Sequence, residues 1–272
     1  MESCSVLITK NISFPYRLSF AVGALTAAVS LVSIIFQSSI YPLEKVRHSS
    51  VATDMVNLFL VIPILFGAMI LARRGKMIGL LFWPGALFII TYHYLAYTAG
   101  LLSAWQVAVY LFLVLISAYT IYDLISRIDW LSVQRRLAGS VPERFAGAVL
   151  VGFGILFFFW RGSLVVQSFI GSAPLTKPEL TTAIADMLIS PAWVIVGVLL
   201  WRKKAFGYVS GAGLLFQFSM LFIGLFVYFA LQPVLAGIAF PVNDFLAVFV
   251  MSLVCFIPFG MFVKGLITRP AG

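Results

Sequence analysis

Charge is scarce in this sequence. Asp, Glu, Lys and Arg together make up 10% of its 272 residues, against roughly one-quarter in a soluble domain. So few charges cannot cover a soluble surface of that size, which excludes an ordinary globular chain. Cysteine is almost absent: Cys4 and Cys255 have no metal-ligand spacing, and the topology argued below sets them against a disulfide. Histidine is limited to His48 and His93, too few for a haem or a histidine-rich centre. With Asp54 and Asp186 they could compose a metal site, but nothing in their spacing argues for one. The chain has no nucleotide loop, no zinc-protease histidine pair and no GxSxG. A retinal-type Schiff base needs a lysine deep in a span, and Lys264 falls at the end of the last one. No catalytic residue, cofactor or metal is therefore assigned, and enzymatic activity is left without a motif.

Apolar residues make up 62% of the chain, in runs long enough to cross a bilayer, which takes about 20 residues per helix. Eight segments qualify, at about 18–40, 54–72, 77–99, 104–125, 145–170, 181–201, 205–231 and 241–264. The expected fold is an all-α polytopic membrane protein. The first segment follows Lys10 and Arg17 but is too long for a signal-peptide core and lacks a small-x-small cleavage site, so it reads as a retained helix.

The chain carries 18 basic and 9 acidic residues, a formal charge of +9. The basic residues stand in short runs between apolar segments, the signature of topology rather than of a nucleic-acid partner. With the amino terminus in the cytoplasm, the inner side holds Lys10, Arg17, "RRGK" (73–76), Arg127, Arg135, Arg136, Arg144, "RKK" (202–204), Lys264 and Arg269. The outer side holds only Lys45, Arg47 and Lys177. This predicts both termini inside.

The two halves resemble one another. "PILFGAMILARRGKMIGLLFWPGALF" (63–88) aligns with "PAWVIVGVLLWRKKAFGYVSGAGLLF" (191–216) at a constant offset of 128, matching Pro63 to Pro191, Gly79 to Gly207 and Gly85 to Gly213. Four spans per half would make a parallel repeat, with halves at 1–130 and 131–272 and a seam between them. Prolines 63, 84, 191 and 258 fall within spans, where they kink or break helices.

Asp54 opens a span, Pro63 follows nine residues in, "ARRG" (72–75) marks its exit, and the next helix begins with a GxLF motif and carries spaced tyrosines. This theme, echoed in the second half, resembles a family of prokaryotic multi-span membrane proteins with no assigned activity. The resemblance covers about 54–130 and 180–230. It implies a bacterial or archaeal inner membrane and transfers no functional residues.

Polar residues inside spans are costly and are functional candidates by default, except near helix ends, where they snorkel. "FFFWRGSLVVQ" (157–167) places Arg161 about 13 Å from the outer end of its span, and Asp186 lies about 8 Å into the next one, at 1.5 Å per residue. The two helices are consecutive and antiparallel, so Arg161 is expected to pair with Asp186. Asp54, Asn57, His93, Tyr97 and Asp244 fall in the same outer half. The blander alternatives are an outer aromatic belt for Tyr92, Tyr94 and Tyr97, helix N-terminal acids for Asp54 and Asp244, and a hydrogen-bonded structural histidine for His93. Asp123 is expected to pair with Arg127 at the inner rim, and the outer stretches at about 41–53 and 171–180 are expected to be loops, serving as lid or connector.

This asymmetry suggests a polar cavity opening outward. Arg161, Asp186, Asp54, Asn57, His93, Tyr97 and Asp244 form the candidate ligand-binding set for a small polar or anionic molecule, bound or transported. The rival readings are an accessory or scaffold subunit, with a membrane partner or a second copy, and a membrane-embedded enzyme acting on a lipid or isoprenoid.

Overall fold

With no water inside a bilayer to take its amides, an apolar run must satisfy them within its own helix. The computed structural model follows that rule: it is helical throughout, with no strand among the described residues, which are 7–41, 44–98, 103–171, 174–237 and 239–268. Eight helical segments are long and apolar enough to cross a membrane, consistent with a multi-pass membrane protein. The helices are α1 (Ser13–Ile35), α2 (Gln37–Ile40), α3 (Glu44–Val56), α4 (Ile62–Arg73), α5 (Met77–Thr98), α6 (Ala104–Ser126), α7 (Trp130–Leu137), α8 (Glu143–Phe169), α9 (Lys177–Trp201), α10 (Ala205–Ala236) and α11 (Val242–Thr268).

Several boundaries differ from the sequence expectation, among them the start of α9 at Lys177, inside the stretch 171–180 expected to be loop. Residues 44–53, expected to be loop, are helical and run into the second span through α3. Hydropathy overlooks the polar run "EKVRHSS", but the helix continues through it with Glu44 in its first turn, where an acid suits the positive end of the helix dipole. The stretch between the fourth and fifth spans contains α7, capped by Asp129, which accepts from Leu131 N–H at 3.1 Å and Ser132 N–H at 3.2 Å. The first span starts at Ser13, whose N–H is taken by the Asn11 side chain at 2.8 Å, and ends at Ile35.

Between α3 and α4 the chain makes one π-helical turn, Asn57–Val61, in which Ile62 N–H reaches back to the Asn57 carbonyl. Pro63 explains its position, since it has no N–H to give the carbonyl four residues earlier. The other in-span prolines, Pro84, Pro191, Pro233 and Pro258, lie inside continuous helices. Pi turns of this kind recur at functional sites, and this one carries Asn57.

Helix α5 is the axis of the bundle: it packs against α4, α6, α9 and α10. Buried residues make up 67% of its apolar window, against 17% for α8, which forms an outer wall against α9. At the centre α5 and α10 meet glycine on glycine. A Cβ on Gly85 would come 2.5 Å from the Gly213 carbonyl oxygen and 2.7 Å from its Cα, and beside this contact Phe82 stacks on Phe216 at 5.2 Å.

The α4–α5 and α9–α10 turns close alike. Gly75 N–H bonds the Ala72 carbonyl at 3.1 Å and Lys76 N–H the Leu71 carbonyl at 2.9 Å. At the second turn Lys203 bonds Leu200 at 2.9 Å and Lys204 bonds Leu199 at 2.8 Å. Both are Schellman closures with a left-handed residue, Gly75 at φ 75° and Lys203 at φ 55°. Residues 7–9 are tied to the α6–α7 junction: Thr9 N–H bonds the Arg127 carbonyl and Asp129 N–H the Leu7 carbonyl, both at 2.8 Å.

Gly85→Ala should lower the melting temperature of the detergent-solubilised protein by several degrees, about 1–3 kcal/mol of overpacking. Gly152→Ala, where an added Cβ meets nothing within 4 Å, should leave it unchanged. A second test concerns α7. Hydrogen bonds from the Ser132 hydroxyl and amide hold the Asp129 carboxyl below the usual carboxylate range. Its folded value lies below its unfolded one, so the cap's contribution is present above pH ~4 and lost as pH falls through the depressed value. Protection factors of the α7 amides, that is exchange corrected for its intrinsic pH dependence, should therefore fall on acidification in the wild type and be already low at pH 7 in Asp129→Ala.

Candidate functional site

The candidate residues that lie inside the bundle sit toward the end opposite the arginine-rich loops, in two groups. The first lies where α5 meets α8 and α9. Arg161 Nε stands 2.7 Å from Asp186 Oδ2, so the expected pair forms between consecutive antiparallel helices. The Asp186 side chain is 2% exposed and that of Arg161 24%. The contact is electrostatic in character, for neither Arg161 Nε nor Asp186 Oδ2 has a hydrogen-bond partner of good geometry. The guanidinium also lies over the Trp160 ring, 4.4 Å from its centre, a favourable cation–π placement. The other carboxylate oxygen accepts from Tyr92 OH at 2.7 Å. Asp186 therefore joins three helices, and Ser190, one turn on, returns its hydroxyl to the Asp186 carbonyl at 2.5 Å.

On the neighbouring face of α5, His93 Nδ1 lies 2.7 Å from Asn57 Oδ1. With the Asn57 amide oxygen as acceptor, Nδ1 is the donor of this bond. Asn57 is fully buried, and its Nδ2 has no partner. Neither acid reaches His93: the bonds of Asp186 go to Arg161 and Tyr92, and those of Asp54 to Ser30 and Tyr41.

The second group lies among α1, α3, α5 and α6. Asp54, 1% exposed, accepts from Ser30 Oγ at 3.0 Å and Tyr41 OH at 2.8 Å. Around it stand Tyr97, whose ring is 6.4 Å from Tyr41, and Tyr94 and Tyr110, 5.1 Å apart. Tyr97 OH donates to the Ser50 carbonyl at 3.2 Å. Burial, with Tyr97 and Asp54 nearby, pushes the Tyr41 phenol far above its ordinary range, so Tyr41 keeps its proton and donates it to Asp54.

The candidate residues thus divide. Arg161 and Asp186 belong to the first group with Asn57 and His93 beside them, and Asp54 and Tyr97 belong to the second. Asp244 joins neither: it is exposed in the first turn of α11, the place that favours an acid for the helix dipole alone. The aromatic-belt alternative fails for Tyr92, which is bound to Asp186, and for Tyr94, which is fully buried. At the opposite end, Asp123 takes Arg127 through both oxygens, at 2.7 and 2.9 Å. Cys255 is buried and unpaired, whereas Cys4 and Arg269 lie outside the described residues. No group of three or more His, Cys, Asp or Glu suited to a metal ion occurs among the described residues.

Sequence reasoning missed Tyr41, Ser30 and the role of Tyr92. One signal was present: Thr26, Ser30 and Ser33 follow helical spacing in an apolar span, and all three are buried on one face of α1. No protein family, curated protein or solved structure matches the chain.

A double-mutant cycle should measure the Arg161–Asp186 contact. Arg161→Gln and Asp186→Asn should each destabilise by about 1–3 kcal/mol, below the 3–5 kcal/mol of a fully buried pair because Arg161 keeps some exposure. Their effects should be non-additive by ~1 kcal/mol; strict additivity would contradict the pairing.

Proposed function

We propose that this chain is a multi-pass protein of a prokaryotic cytoplasmic membrane, with both termini inside, that binds a small polar or anionic molecule and carries it across. The observation that carries this reading is the polar band crossing α3, α5, α9 and α8. In an otherwise apolar bundle it sets Asn57 and His93 beside Tyr92, Asp186 and Arg161. An intramembrane charge facing the bundle interior is a mark of substrate pathways. The Arg161 side chain keeps 24% exposure although its Nε is buried against Asp186, which leaves the remainder of the guanidinium to meet a ligand. Asn57 Nδ2 and His93 Nε2 supply further polar contacts one helix away.

The architecture proposed with it is two parallel four-helix halves, 1–130 and 131–272, around the α5–α10 seam. Its support is the offset-128 sequence match, the like-closed turns at Gly75 and Lys203, and the contact of Gly85 with its counterpart Gly213. The orientation rests on the distribution of basic residues.

One observation favours the rival accessory-subunit reading: Asp186, Tyr92, Asn57 and His93 bond largely to one another. The enzyme reading called for His93 within hydrogen-bond reach of Asp54 or Asp186, whereas the His93 bond goes to the Asn57 amide.

Native mass spectrometry of the gently purified protein tests the proposal. A small polar adduct should accompany the wild type and be absent from folded Arg161→Gln. An adduct-free wild type, with Arg161→Gln merely destabilised, would leave the band as a structural lock.

A further inference from the structure

The second polar group poses a different question from the first. Asp186 has Arg161. Asp54 is as deeply buried, at 1% exposure, and no described cationic side chain pairs with it: its partners are the Ser30 and Tyr41 hydroxyls. A carboxylate in an apolar bundle needs its charge neutralised, and neutral donors disperse that charge without cancelling it.

More oxygen surrounds Asp54 than those two bonds use. The Tyr94 hydroxyl lies beside Ser30, Thr26 and Asp54, and the Ser33 hydroxyl lies beside Tyr41 and Tyr110. Thr26 and Tyr94 are both 0% exposed, yet Thr26 Oγ1 and Tyr94 OH have no hydrogen-bond partner. The Tyr94 hydroxyl is within reach of both Thr26 and Ser30, but neither it nor Thr26 makes a well-aligned hydrogen bond. Their lone pairs converge near the carboxylate unused, although buried polar atoms are nearly always satisfied. A hydroxyl has lone pairs to offer as well as a proton.

We infer that Asp54, Thr26, Ser30 and Tyr94 form a binding site for a small monovalent alkali cation between α1, α3 and α5. The donors are all oxygen, which suits hard cations rather than zinc or copper. A single carboxylate supplies one negative charge, matching one positive charge and not two. The Thr26 and Ser30 hydroxyls come from successive turns of α1, so the ion would clamp α1 to α3 and α5. The site is independent of whatever Arg161 binds, since it shares no residue with that group.

The test uses the full-length protein in detergent, exchanged into N-methyl-D-glucamine chloride free of alkali metals. Thermal unfolding is followed as NaCl, LiCl or KCl replaces the glucamine salt at constant ionic strength. At least one alkali ion should raise the melting temperature saturably, by about 5 °C at a concentration well above its Kd. The ion that does so most strongly identifies the occupant. The shift should vanish in Asp54→Asn. If that variant does not fold, Tyr94→Phe and Thr26→Val decide, since each removes one hydroxyl and should weaken the ion's apparent affinity at least tenfold. The inference is overturned if no alkali ion differs from glucamine, if the shift survives in Asp54→Asn, or if the hydroxyl variants respond as the wild type does. A protein stabilised by acid alone would show that a proton neutralises Asp54 instead.

Discussion

The architecture depends on one constraint: an acid placed in an apolar bundle must be answered from another helix. Asp186 shows it most fully, with Arg161 from α8 on one oxygen and Tyr92 from α5 on the other. Asp54 draws Ser30 from α1 and Tyr41 from the link ahead of α3. Glu143, at the opposite end, accepts from Gly139 N–H at 2.7 Å and from Tyr208 OH of α10 at 2.9 Å. Apolar packing tolerates small sliding of one helix on another, but a hydrogen bond to a buried carboxylate does not, because leaving such a group unpaired costs more than the bond itself contributes. The acids therefore set which helices meet and at what height.

Helix α5 is where these demands converge, and its sequence suits two kinds of contact. Its first half is small and apolar, letting Gly85 touch the backbone of Gly213 on α10. Its second half carries Tyr92, His93, Tyr94 and Tyr97, which face three different neighbours. Close glycine packing brings α10 in, and on the other half of the helix the Tyr92 hydroxyl reaches Asp186 on α9. A bulky residue at Gly85 would disturb more than the seam, because it would move the ring-bearing half of the helix relative to Asp186 and Asn57.

How much of this was legible in the sequence varies with the kind of information each feature needs. The spans could be read because apolar length is a one-dimensional property, and their number agrees with the eight long apolar helices. The Arg161–Asp186 contact could be read as well, since consecutive antiparallel helices and the rise per residue fix relative depth. Rotation about the helix axis could not be read. Depth alone placed Tyr92 at an interfacial belt, whereas its rotation turns it toward Asp186, and depth alone grouped Asp244 with residues it does not meet. Asp54 and Asn57 are three residues apart, yet the π turn beginning at Asn57 directs one toward α1 and the other toward His93. Hydropathy also hid α3 and α7, both too polar to register as spans.

The central claim, that Asp186 holds Arg161 within the bundle, is tested most directly by solid-state NMR in lipid bilayers. Arginine would carry nitrogen-15 and aspartate carbon-13, in an Asp123→Asn background that removes the Arg127 pair. The account predicts a dipolar coupling between a guanidinium Nε and a carboxylate carbon corresponding to roughly 3–4 Å, about one bond length beyond the Nε–Oδ2 contact of 2.7 Å, and its loss in Asp186→Asn. A spectrum without that coupling, from protein that remains folded, would contradict it.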